Sequence, residues 1–149
     1  MSPAIIQVDV IIPTQTRYLD LIGSIGGHIA KELDNYAGDR TALAYHLNLV
    51  LTEATANAIK HAHDKNSQEL KDTKEAKDTV RICIHIEDKQ LTIKVYDHGL
   101  GFDLETVAAP DFDNPQDHGM GLFFIKTFMD SVTYTQQADG NVLEIIKFL

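Results

Sequence analysis

The chain has 149 residues, of which 44% are hydrophobic and 23% are charged, and its formal net charge is -9. This composition predicts one globular domain, residues 1–149, and the negative charge argues against nonspecific binding to nucleic acid or to an anionic membrane, because both favour clustered Lys and Arg. Cys83 is the only cysteine, which excludes an internal disulfide and a cysteine-based zinc cluster. With no leader pattern and no apolar run of membrane-spanning length, the cytoplasm is the expected compartment.

A strand and a helix are predicted first. Apolar residues alternate over residues 4–12, which predicts a strand that ends at Pro13. A helical pattern of apolar residues then runs from Leu19 to Leu33, and it contains three glycines. Because glycine weakens a helix by about 1 kcal/mol relative to alanine, Gly23, Gly26 and Gly27 indicate close backbone packing. We expect that packing within the monomer, with a partner contact as the alternative.

The second predicted helix is capped by Asp39 and extends through Ala62. Its apolar stripe, which begins at Leu43, continues as Asn57 and His61, with Glu53 at its edge. A buried carboxylate, carboxamide and imidazole are costly unless each has a partner. A ligand, often with a metal ion, is one explanation, and a cap or a satisfied polar network in the core is the other.

Residues 64–78 are polar and mixed in charge, and they predict an exposed insertion. Residues 81–87 and 91–95 alternate on either side of the turn sequence EDKQ, which predicts a hairpin. His85 falls on the side away from the core. Asp97 keeps the phase of the core residues, so a carboxylate follows three apolar side chains on the buried face.

Two glycine motifs follow the hairpin. Gly99 and Gly101 permit close backbone approach, and the acidic residues 104–118 predict a mobile loop or lid. Gly119 and Gly121 then open an apolar helix, LFFIKTFMD. A helix start with free N–H groups suits phosphate, and a plain turn is the alternative. The tail predicts a final hairpin around ADG, with strands over residues 131–136 and 141–148.

The motifs occur in a restrictive order: ExxxN on a helix, DxGxG after a strand, and GxG at the start of a helix. This order resembles the ATP-binding domain shared by gyrase, heat-shock chaperones, histidine kinases and mismatch-repair proteins. ExxxNAxxH, together with GMGL followed by FFIKTFMD, is similar to the bacterial anti-sigma-factor serine/threonine kinases. The resemblance covers nearly the whole chain. It implies an α+β fold, a two-layer sandwich whose mixed, mainly antiparallel sheet is covered on one face by helices.

The resemblance also implies roles for individual residues. Glu53 is the candidate general base, Asn57 the ligand for Mg²⁺, and His61 a supporting residue of the nucleotide site. Asp97 is expected to accept a hydrogen bond from the adenine amino group. The remaining nucleotide contacts are expected from the backbone of the two glycine motifs, at Gly99, Gly101, Gly119, Met120, Gly121 and Leu122.

The function implied is that of a kinase that binds ATP with Mg²⁺, sequesters a sigma factor and phosphorylates an anti-sigma-factor antagonist, and a homodimer is expected. The alternative is a noncatalytic, nucleotide-gated binding module. Glu53 favours the enzyme, whereas the absence of Lys and Arg from residues 104–118 favours the module. A metal-only site and a histidine-kinase fragment rank lower, because the histidines form no ligand cluster and no phosphoacceptor helix pair precedes the domain.

Overall fold

A computed structural model describes residues 5–34, 36–64, 79–98 and 120–149. Its elements, in chain order, are β1 (Ile6–Pro13), a short 3-10 helix (Thr16–Tyr18), α1 (Leu19–Lys31), α2 (Arg40–Asp64), β2 (Thr79–Glu87), β3 (Gln90–Asp97), α3 (Met120–Phe128), β4 (Ser131–Gln137) and β5 (Gly140–Phe148). The predicted insertion beyond Asp64 and the predicted lid, residues 104–118, lie outside the described residues. None of the described helices is long and apolar enough to cross a membrane.

The five strands form one sheet in the order β1-β2-β3-β5-β4, and the pairings among the described residues are antiparallel. Side chains alternate between the two faces of a strand, so the register places apolar residues of all five strands on one face. One cross-strand row of this face contains Val8, Ile84, Ile93, Ile145 and Val132. The helices pack against this face, which confirms the predicted two-layer α+β sandwich.

The glycines of α1 allow that helix to pack closely on α2. A Cβ atom on Gly23 would lie 2.5 Å from Thr52 Oγ1, and one on Gly26 would overlap the Leu51 side chain. At Gly27 the nearest neighbour would be the Ala44 carbonyl oxygen, at an ordinary 3.7 Å. Packing within the monomer, as predicted, therefore accounts for two of the three glycines.

The longest helix, α2, begins where the sequence predicts. Asp39 Oδ1 accepts hydrogen bonds from the backbone N–H groups of Thr41, at 2.9 Å, and Ala42, at 3.3 Å. These bonds satisfy two of the free donors at the helix start. Along its length, α2 contacts α1, β2, β3 and α3. Because it packs against both the sheet and α3, its polar side chains can meet residues from distant parts of the chain.

Candidate functional site

The side chain of Glu53, on α2, lies against the first turn of α3. The Oε2 atom of Glu53 is 2.5 Å from the position that a Cβ atom on Gly121 would occupy. The Cβ and Cδ atoms of Glu53 are 3.3 Å from the same position. Two motifs far apart in the sequence, ExxxN and the GxG that opens a helix, therefore meet in space. The contact places a carboxylate next to the backbone that was predicted to bind phosphate.

Glu53 is half-buried, and this burial raises the pKa of its carboxyl group. A carboxylate with a raised pKa holds a proton more tightly than an ordinary glutamate does. General-base catalysis benefits when the pKa of the base moves toward the working pH. The environment of Glu53 thus shifts its acidity in the direction that proton abstraction requires.

Asn57 and His61 follow Glu53 on α2 at successive helical turns, and both are half-buried. The prediction that these side chains point into the interior is only partly right. Ala54 and Ala58 are buried in the core, while the polar side chains lie at its rim. The reason is geometric, because the core continues along α2 through Ala58 and Ile59, and the helical period defines a face without fixing which residues of that face lie at its centre and which at its edge.

The chemistry of Asn57 fits a magnesium ion. Its amide oxygen is a hard donor, which Mg²⁺ prefers. In the part of the chain that the structure describes, no group of three or more His, Cys, Asp or Glu residues is placed to hold a metal. Mg²⁺ commonly uses only one or two protein ligands and completes its coordination with water and phosphate oxygens. A single amide ligand is compatible with that mode of binding.

Asp97 ends β3 on the core face and is only 3% exposed. It lies directly opposite Asn141 on β5, and Asn141 Nδ2 donates a 2.9 Å hydrogen bond to Asp97 Oδ1. Tyr134, on β4, is the third polar group. Burial, together with the neighbouring Asp97 charge, raises the pKa of its hydroxyl. The buried carboxylate was therefore predicted correctly, and the structure shows the polar groups around it.

Neither Asn141 nor Tyr134 was predicted from the sequence as a partner of Asp97. One signal was present, since Asn141 shares the phase of the buried residues Leu143 and Ile145. The phase of Asn141 did not by itself identify Asp97 as its neighbour, because the pairing of β5 with β3 is known only from the order of the strands in the sheet. A local pattern shows which face a residue occupies but not which strand lies beside it.

The turn before β5 holds the end of β3 closely. Gly140 has a φ of +145°, and a Cβ atom there would lie 2.6 Å from the Asp97 carbonyl oxygen. His98 Nδ1 lies 3.0 Å from the Asp139 carbonyl oxygen. A side chain at position 140 would be strained in this conformation and would also collide with β3. The turn thus lies tightly against the backbone at Asp97 and His98.

A cavity of about 280 Å³ opens at this end of the sheet, on the face away from the helices. Open-face residues that line it include Ile11, Arg81, Tyr96 and Val142. Arg81 donates two hydrogen bonds to Asp9, at 2.9 and 2.7 Å, and its guanidinium lies over the Tyr96 ring. Because Glu53 belongs to α2, in the layer of helices that covers the opposite face of the sheet, this cavity is separate from the contact between Glu53 and Gly121.

The second glycine motif is described only in part. α3 begins at Met120, two residues before the predicted helix LFFIKTFMD, and the Leu122 side chain is buried at 7% exposure. Leu122 therefore packs in the core, so its contribution to a ligand is limited to its backbone N–H. Gly99, Gly101 and Gly119 lie outside the described residues. The phosphate contacts assigned to this motif stay predictions.

Comparison with known proteins gives consistent matches. Residues 27–147 match the family described as the histidine kinase-like ATPase domain. The serine-protein kinase RsbW of Staphylococcus epidermidis is 26% identical over 95% of this chain and 86% of its own length. The anti-sigma F factor of Pasteuria penetrans is 32% identical over 69% of this chain and 67% of its own length. The anti-sigma F factor of Clostridium acetobutylicum is 31% identical over 68% of this chain and 66% of its own length.

A similar solved structure can be named as well. It is the histidine kinase domain of a blue-light activated histidine kinase from Erythrobacter litoralis. The match has a TM-score of 0.49 and 20% sequence identity, and it covers 93% of this chain and 62% of that chain.

Proposed function

We propose that this chain, which belongs to the histidine kinase-like ATPase domain family, is an ATP-dependent protein serine/threonine kinase that binds a sigma factor and phosphorylates an anti-sigma-factor antagonist. One observation carries the proposal, namely the contact between the Glu53 carboxylate and the first turn of α3. The relatives named serine-protein kinase and anti-sigma F factor support the same class of activity.

The reaction assigned to the site is transfer of the γ-phosphoryl group of ATP to a serine or threonine hydroxyl. The hydroxyl oxygen forms a bond to phosphorus, the bond to the ADP oxygen breaks, and Glu53 accepts the hydroxyl proton. A positioned general base contributes about 10² to 10⁴ in rate. Mg²⁺ held by Asn57 would supply positive charge that offsets the charge of the phosphates.

Recognition of adenine is assigned to Asp97. A carboxylate only accepts hydrogen bonds, which suits the amino group of adenine and disfavours a base that presents a carbonyl oxygen at that position. The hydrogen bond from Asn141 holds the Asp97 carboxylate in one orientation. Fixed orientation lowers the entropy lost when the base binds.

A noncatalytic nucleotide-gated binding module of the same fold is the second candidate. Residues 104–118 contain four acidic residues and no Lys or Arg. A phosphoryl-transfer site normally places positive charge near the transferred group. A noncatalytic module transfers no phosphoryl group and needs no positive charge in this segment, so it is consistent with this composition. It gives the Glu53 carboxylate no role, however.

Phosphate transfer separates the two candidates. The wild type and the variant Glu53→Gln are incubated with labelled ATP, Mg²⁺ and candidate antagonist proteins from the same genome, and Glu32→Gln, an exposed residue next to α1, serves as a matched control. Glu53→Gln should lose nearly all transfer and keep ATP affinity within about threefold, because the amide keeps its size but cannot readily take a proton.

Two results would change the assignment. Retained transfer in Glu53→Gln would reject Glu53 as the base. Absent transfer in the wild type with every antagonist, with ATP-dependent binding of the sigma factor intact, would favour the module.

The family resemblance also leads us to propose that residues 1–149 act as one domain, that the protein is a homodimer, and that it works in the cytoplasm, where sigma factors bind RNA polymerase. Sedimentation velocity tests the homodimer directly. A species of twice the monomer mass at micromolar concentration is expected, and a monomer at all concentrations would reject the dimer.

A further inference from the structure

Gly121 is the second residue of α3, where a glycine is unfavourable without a specific reason. Glycine is among the weakest helix formers because it loses the most backbone entropy on folding. Of the described glycines, only Gly140 has a φ in the left-handed range, so backbone conformation does not explain Gly121. The space around Gly121 explains the glycine.

A side chain at position 121 would collide with Glu53. A Cβ atom there would lie 2.5 Å from Oε2 and 3.3 Å from the Cβ and Cδ atoms of Glu53. The Cβ atom of Glu53 is bonded directly to the backbone of α2 and has little freedom to move. The carboxylate, at the end of a flexible side chain, is the group that must yield. Even a methyl group at position 121 would therefore move the carboxylate away from the start of α3.

We propose that Gly121 is a positioning residue, whose missing side chain keeps open the place in which the Glu53 carboxylate lies against α3. The proposal rests on the proposed function of Glu53 as the base, and it assigns Gly121 a task separate from phosphate binding. Phosphate binding uses the backbone N–H of residue 121, which alanine retains. Positioning uses the absence of a Cβ atom, which alanine removes.

Kinetics distinguish these two tasks. Gly121→Ala should lower the rate of phosphate transfer by at least about tenfold, since catalysis by a general base depends on its position. ATP affinity should stay within about threefold, because the backbone donors are unchanged. Gly27→Ala is the matched control, since a Cβ atom at that helical glycine meets only an ordinary contact, and it should leave both values unchanged.

A stability comparison tests the same contact without any need for enzymatic activity. In the wild type, Gly121→Ala gains helix propensity but clashes with Glu53. In a Glu53→Ala background the 2.5 Å clash with Oε2 is removed and only the 3.3 Å approach to the Cβ atom of residue 53 is left, so Gly121→Ala should raise the thermal midpoint there more than it does in the wild type. Thermal unfolding of the four proteins, monitored by circular dichroism, measures the difference.

The outcomes are separable. Equal losses of ATP affinity and transfer in Gly121→Ala would assign the glycine to phosphate binding and overturn the proposal, and so would additive shifts in the thermal midpoint. Absent transfer in the wild type would instead reject the proposed function, and the stability comparison would then decide alone whether Gly121 makes room for the Glu53 side chain.

Discussion

Asn141 on β5 donates a 2.9 Å hydrogen bond from Nδ2 to Oδ1 of Asp97 on β3, and both side chains are buried. A carboxylate at this depth is costly unless hydrogen bonds replace the water it has lost. The cross-strand register supplies that replacement, because it makes residues 97 and 141 direct neighbours. The stability of the sheet and the orientation of the candidate adenine acceptor thus depend on the same hydrogen bond.

Asn141→Leu should destabilise the fold by about 1–3 kcal/mol, since it removes a donor from a buried carboxylate while nearly conserving side-chain volume. ATP affinity should fall as well. Denaturant unfolding and calorimetry measure the two effects. Gln137→Leu, at an exposed position on the adjoining strand, is the control. A variant as stable as the wild type would mean that Asn141 does not support Asp97.

Asp97→Asn should discriminate poorly between adenine and guanine nucleotides. The amide can donate a hydrogen bond where the carboxylate only accepts, so it can pair with the carbonyl oxygen of guanine. Competition between ATP and GTP for the purified variant gives the ratio of affinities. If the preference of the wild type for ATP survives unchanged, adenine is recognised elsewhere.

Asn57→Ala should remove most of the contribution of Mg²⁺ to ATP binding, because it deletes the proposed amide ligand. Calorimetric titrations with Mg²⁺ and with a chelator measure that contribution. Asn48→Ala, at an exposed position on the same helix, should keep it. Equal ATP affinity of the wild type with Mg²⁺ and with chelator would reject the metal assignment altogether.

Glu53→Gln should be at least as stable as the wild type at neutral pH. Burial raises the pKa of Glu53, which means that the charged carboxylate disfavours folding. The contribution of Glu53 to stability is therefore present at low pH, where the carboxyl group is protonated, and it is lost as the pH rises through the raised pKa. The advantage of the neutral amide should therefore shrink as the pH falls through that range. Free energies of unfolding at several pH values test the trend, and an advantage that grows in acid has the wrong sign.

Gly26→Ala should destabilise the protein, whereas Gly27→Ala should stabilise it by up to about 1 kcal/mol through helix propensity. The two positions are adjacent in α1, but a Cβ atom on Gly26 would overlap the Leu51 side chain and one on Gly27 would not. Denaturant unfolding of both variants measures the two changes in stability. Similar effects at the two positions would contradict the packing of α1 on α2.

Local patterns in the sequence determine much of this fold. The Asp39 cap, the hairpin of β2 and β3 and the buried phase of Asp97 all follow from neighbours within a few residues, and the structure confirms each of them. Such features depend on backbone geometry and on side-chain period, which a short segment carries by itself. Resemblance to a family implies the roles of individual residues, but it does not show which residues contact one another.

Contacts across the molecule were decided only by tertiary structure. The meeting of Glu53 with Gly121, and of Asp97 with Asn141, joins segments far apart in the chain. Which strand lies beside β3, and which residues of α2 lie at the edge of the core, depend on the packing of all the layers together. Since that packing energy is a property of the assembled core and not of any one segment, periodicity alone could not place these residues next to each other.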